Sequence, residues 1–91
     1  MTGEDAGEEL RAYIREGRIT SIPVRRPARL LLLDRVARAF EPGVRYTEAR
    51  VNEVIGVFSA DVPALRRGLV DEGFLEHDRV HYWRCGGTVD L

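Results

Sequence analysis

The chain has 91 residues, 44% hydrophobic and 32% charged, with a formal net charge of −1, which suits one small folded domain with a thin core. Its longest apolar run, Leu30 to Leu33, is four residues, far below the roughly 20 a membrane-spanning helix needs. No charged-then-apolar leader opens the sequence and its single cysteine, Cys85, has no partner for an internal disulfide, so the expected location is the cytoplasm, without membrane contact.

Residues 1–7 are polar and contain two glycines, and read as a flexible acidic tail. From Glu8 to Glu16, Leu10, Tyr13 and Ile14 recur at i, i+3, i+4, which predicts a short amphipathic helix capped by Gly17. Ile19 to Val24 alternates and ends at Pro23, an extended segment at an edge. Pro27 suits the first turn of a helix that runs to about Phe40, with Leu30, Leu33, Val36, Ala37 and Phe40 on one face. Leu31 falls among Asp34, Arg35 and Arg38 on the polar face. It is therefore expected to lie under the N-terminal helix or at an interface with a second subunit.

Glu41-Pro42-Gly43 turns the chain. Thr47 is a good N-cap, and Val51, Val54, Ile55 and Phe58 make the clearest helical stripe in the sequence. After a tight turn at Ser59-Ala60, Asp61 is expected to cap a third helix. That helix carries Val62, Leu65 and Leu69 on its buried stripe and ends at Gly73 in a left-handed cap. Phe74–Glu76 and Val80–Arg84 flank Asp78-Arg79 as a two-stranded hairpin, and residues 86–91 form a loose tail.

The order is helix, short strand, helix, tight turn, helix, hairpin. The expected fold is α+β and mostly helical, a winged helix-turn-helix over residues 8–85 with an extra N-terminal amphipathic helix. The stretch from Gly17 to Arg84 also resembles the bacterial domain-of-unknown-function family 2087. The blocks that carry the likeness are Gly17-Arg18-Ile19, Ile22-Pro23, Phe40-Glu41-Pro42-Gly43, Tyr46-Thr47-Glu48 and Val51-Asn52-Glu53-Val54. They continue in Asp61, Leu65-Arg66-Arg67-Gly68-Leu69-Val70-Asp71 and Tyr82-Trp83-Arg84. The resemblance implies a winged-helix-like fold and an association with transcription regulation. It implies no biochemical activity. The chain departs from the family pattern at Glu76-His77, in place of an acid-then-arginine pair, and its hairpin turn has no glycine.

Charge is unevenly spread. Glu4, Asp5, Glu8 and Glu9 open the chain without a base, whereas Arg18 to Arg84 holds twelve arginines against nine acids. All fourteen bases are arginine. Planar guanidinium forks suit phosphate, but a GC-rich coding sequence gives the same bias, and many of these arginines have an acid within one helical turn. On the third helix, Pro63, Ala64, Arg67 and Asp71 face outward with Arg66 near the boundary. Arg66 and Arg67 are the candidate contacts to duplex DNA, with Arg79 at the wing tip as a further phosphate contact. Against this stands a purely structural pairing of the two arginines with Asp61, Asp71 or acids of the second helix.

Two readings stay open: a regulatory domain that binds DNA, and a protein-interaction or dimerisation module with the same fold, for which Leu31 is the candidate interface residue.

Gly68, inside the third helix, costs about 1 kcal/mol against alanine and points to a close approach by another backbone or ring. Asn52 is expected to bond the backbone of the preceding turn or face a ligand. Tyr46, Tyr82 and Trp83 read as core or rim aromatics. His77, His81 and Cys85 recur every four residues. That spacing gathers ligands on a helix but not on a hairpin, and it matches no standard zinc pattern, so no metal and no cofactor are expected. No nucleophile has both a base and an orienting group, so no enzyme is expected.

Overall fold

The computed structural model describes residues 10–85; the expected tails (1–7 and 86–91) and the first residues of the expected N-terminal helix, Glu8 and Glu9, lie outside them. Within the described residues Leu10 is helical, but the helix does not run on to Glu16. Arg11–Tyr13 is a single 3-10 turn, followed by strands β1 (Ile14–Arg15) and β2 (Arg18–Ile19), which pair antiparallel with Ile14 opposite Ile19. The two residues between them, Glu16 and Gly17, have φ of 53° and 79°. Two successive positive φ values are the requirement of a tight hairpin turn matched to strand twist, so Gly17 serves a hairpin rather than a helix end. Leu10 (2% exposed) and Ile19 (8%) belong to the core from this segment.

Helix α1 spans Arg26–Ala37, with Pro27 in its first turn as expected. It buries Ala28, Leu32, Leu33, Val36 and Ala37. The expected face named Leu30 and omitted Leu32; in the structure Leu32 is fully buried and Leu30 flanks the core. Four consecutive leucines leave the helical phase ambiguous, and packing decides it. Leu31 is 38% exposed, so the described part of the N-terminal segment does not bury it. The helix ends three residues earlier than expected. Phe40 is nonetheless fully buried beyond it, edge-on to Tyr46 at 5.1 Å.

Strand β3 (Arg45–Thr47) leads directly into helix α2 (Glu48–Phe58), where the Thr47 hydroxyl accepts from the Arg50 amide at 3.1 Å, the expected cap. Helix α3 spans Val62–Asp71. Asp61 precedes it, but its side chain makes no capping bond. Instead the buried Ser59 hydroxyl accepts from the Asp61 amide at 3.0 Å and fixes the turn between α2 and α3. Gly73, at φ 83°, closes α3 in the left-handed conformation.

Strands β4 (Leu75–His77) and β5 (His81–Arg84) form the expected hairpin, but the sheet has three strands, in the order β3-β5-β4, all antiparallel. Tyr46 lies opposite Tyr82, and Tyr82 opposite His77; Arg45 lies opposite Trp83, and Trp83 opposite Glu76. Tyr46, Tyr82 and Leu75 pack on the core, so strand alternation turns Arg45, Trp83 and Glu76 to the outer face. The architecture is thus a small α+β domain of three helices and two small antiparallel sheets. Leu33 and Val36 of α1, Val51 and Ile55 of α2, and Leu65 and Leu69 of α3 meet at its centre. No helix among the described residues is long and apolar enough to cross a membrane.

Candidate nucleic-acid interface

The outer surface of α3 runs between two clefts. One, of about 390 Å³, separates it from the β4–β5 hairpin and is lined by Pro63, Arg66, Arg67, Val70, Asp71, His77 and Tyr82. The other, of about 380 Å³, separates it from α1 and the Ile22 segment. Arg66 and Arg67 are neighbours in sequence but differ in state. The Arg66 guanidinium donates to Asn52 Oδ1 at 2.6 Å and lies 4.0 Å from the Glu48 carboxylate, with its side chain 25% exposed. It is a strut between α2 and α3. The Asn52 amide oxygen is thus spent on holding Arg66 rather than on the backbone of the preceding turn.

Arg67 is 84% exposed, and its nearest carboxylate, Asp71 one turn on, is 3.7 Å from Nε. That separation is an ion pair in water rather than a hydrogen bond, and such pairs constrain a side chain little. Asp71 and Glu72 would both repel a polyanion if free. Glu72 is not free: Arg26 donates to its Oε1 at 3.1 and 3.2 Å, and Arg29 to its Oε2 at 3.1 and 3.3 Å. The Arg29 hydrogen bonds hold the Glu72 carboxyl below its ordinary pKa, with Arg26 adding to the effect against the desolvation that opposes it. Two guanidiniums thus cover the charge at the C-terminal end of α3, leaving Asp71 as the exposed acid there.

The hairpin turn is set by Asp78, whose Oδ1 accepts from the Val80 and His81 amides at 2.8 and 2.7 Å. Those bonds, with Arg45 behind them, hold the Asp78 carboxyl below its usual range. They also do the work of the turn glycine that this sequence lacks. Arg79 is exposed beside Val80 at the tip, and its side chain has no ion pair or hydrogen bond among the described residues. Arg66 and Arg67 are brought together at one cleft, whereas Arg79 is carried on the turn and Leu31 on α1.

Sequence reasoning missed Arg45. It stacks over the Trp83 ring at 4.7 Å and reaches Asp78 at 3.6 Å, while the Trp83 indole N–H donates to Glu76 at 3.2 Å. The register of β3 on β5 creates this cluster, and no local signal marks it. It missed Arg18 too, whose guanidinium donates at 3.2 Å to the carbonyls of Gly56 and Val57 and closes the C-terminal end of α2. His77 stacks on Tyr82 at 5.0 Å, on the sheet face opposite Trp83, and Cys85 donates to the Gly73 carbonyl at 3.3 Å. Desolvation first, then Glu76, push the Cys85 thiol up, away from reactivity. Among the described residues no three His, Cys, Asp or Glu side chains stand together as a metal site.

No curated protein and no solved structure matches the chain. The family described as an uncharacterized protein conserved in bacteria (DUF2087) matches residues 18–84, from β2 to the end of β5. That span includes all three helices and the three-stranded sheet, and the chain belongs to this family.

Proposed function

We propose that the protein is a winged-helix domain that binds duplex DNA in transcription control in the cytoplasm, with α3 as the reading helix and the β4–β5 turn as the wing. The order α1, β3, α2, tight turn, α3, β4, β5, with β3 beside β5, supports this assignment. The observation that carries it is Arg67, an 84% exposed guanidinium at the middle of the outer face of α3, tethered among the described residues only by a long contact to Asp71. Arg79 supplies the second phosphate contact. Arg66 acts indirectly, by holding α3 on α2.

The test is binding to random-sequence duplex DNA at two salt concentrations, beside a size measurement of the free protein. Each neutralised phosphate contributes about −0.9 to the slope of log affinity on log salt. Arg67→Ala is expected to lower that slope by about one unit if it contacts phosphate, or to cost about 1–3 kcal/mol at one base position if it reads a base. Arg35→Ala, on the exposed face of α1, is the control. Absence of duplex binding at low salt, or an Arg67→Ala protein with unchanged affinity and slope, defeats the DNA reading.

The second reading is an interaction or dimerisation module without DNA. Leu31, 38% exposed on α1, and the formal charge of −1 favour it. Its mark is a dimer in the size measurement that Leu31→Asp dissociates.

A further inference from the structure

The cleft of about 390 Å³ between α3 and the β4–β5 hairpin has ionisable groups on both walls. On the helix wall Arg66 lies 4.0 Å from Glu48, and Arg67 lies 3.7 Å from Asp71, so each guanidinium is matched by one carboxylate. On the hairpin wall stands His77, exposed and stacked on Tyr82 at 5.0 Å with the ring planes 26° apart. Asp78, next to it, is paired with Arg45 at 3.6 Å. Glu76 lies on the opposite face of the sheet, bonded to Trp83, and Arg79 is carried on the turn. The charges of the helix wall cancel, so the charge of the cleft is decided by His77.

The bonding of the ring fixes where its second proton goes. Nδ1 lies 3.2 Å from the Asp78 carbonyl oxygen. A carbonyl only accepts, so Nδ1 carries the hydrogen, and in the neutral ring Nε2 is a lone pair. Nε2 has no partner among the described residues. As a lone pair it repels a phosphate oxygen; once protonated it is a charged donor. Histidine makes that change between about pH 5 and pH 8.

We infer that this cleft seats one phosphodiester of duplex DNA, with Arg67 donating from the helix wall and the His77 imidazolium from the hairpin wall, so that one proton is taken up when the contact forms. The match is in charge. The cleft is balanced while the ring is neutral and carries one positive charge with an imidazolium, and a phosphodiester is a monoanion. The inference rests on the DNA reading and adds to it a contact that switches with pH, which the guanidiniums of Arg67 and Arg79 cannot do because they stay charged.

The experiment is binding of the 91-residue protein to random-sequence duplex DNA at about pH 5.5 and about pH 8, each over a range of salt. One further phosphate contact contributes about −0.9 to the salt slope, which is about eightfold in affinity at about 0.1 M salt. Wild type should therefore bind about eightfold more tightly, and with the steeper slope, at the lower pH. His77→Gln should show the weaker affinity at both pH values, and His77→Arg the tighter one at both. His81→Gln, on the sheet face away from the cleft, should keep the pH dependence of wild type. Equal binding by wild type at the two pH values, a His77→Gln protein that keeps the pH dependence, or a His81→Gln protein that loses it overturns the inference and leaves the DNA reading standing. Absence of duplex binding at both pH values overturns the two together.

Discussion

Arg66 and Arg67 should part company in a stability measurement. The Arg66–Asn52 bond is short at 2.6 Å, charge-assisted, and formed by a side chain only 25% exposed. Hydrogen bonds to charged groups contribute about 1.5–3 kcal/mol when shielded. Partial exposure lowers that, so a coupling of about 1 kcal/mol is expected between the two residues. Glu48, at 4.0 Å and 62% exposed, adds little. The assay is urea unfolding of wild type, Arg66→Ala, Asn52→Ala and the double variant. With a denaturant slope of about 1 kcal/mol per molar, each single variant should lower the midpoint by roughly 1 M, and the double variant by clearly less than the sum of the two. Arg67→Ala, whose partner is 3.7 Å away in solvent, should move the midpoint by less than about half as much. A coupling near zero, or an Arg67→Ala protein as destabilised as Arg66→Ala, would refute the division of the pair into a strut and a free contact.

Thr47→Ala removes the hydroxyl that accepts from the Arg50 amide and should cost about 1 kcal/mol in thermal or urea unfolding, with Thr47→Ser recovering most of it. Gly73→Ala forces a side chain into φ 83° and should destabilise by about 1 kcal/mol, whereas Gly68→Ala, with ordinary contacts to Leu33, should be neutral or gain up to about 1 kcal/mol from helix propensity. Glu72 has its folded pKa depressed, first by the Arg29 hydrogen bonds. Its contribution is therefore fully present above the ordinary carboxyl range and is lost as pH falls through the lowered folded value. Glu72→Gln should flatten the acid limb of a stability–pH profile below about pH 5, and an unchanged limb would show that its two arginines do not stabilise the fold.

What the sequence determined by itself is local. The Thr47 cap, the Val51 and Ile55 stripe, the Pro27 start and the Gly73 stop each act within one or two turns, and each appears where the residues place it. The β4–β5 hairpin is equally legible, because its strands are joined by a short turn. Spacing alone could not decide where the N-terminal helical pattern stops: Leu10, Tyr13 and Ile14 fit one stripe, yet positive φ at Glu16 and Gly17 and pairing of Ile14 with Ile19 turn the chain into a hairpin from Ile14 on. Nor could it decide which of four leucines on α1 points inward, since a run of one residue type has no phase until a neighbour supplies one.

The site shows the same division. Arg66 and Arg67 were identifiable as candidates on an outward face, but one reaches an acceptor on α2 and the other does not, and only the crossing of the two helices settles that. Strand β3 joins β5, and Arg18 finds the Gly56 carbonyl 38 residues away, through contacts between distant parts of the chain. Closing such distances costs chain entropy that no local preference reports, so these contacts follow from the shape of the packed core rather than from any stretch of sequence.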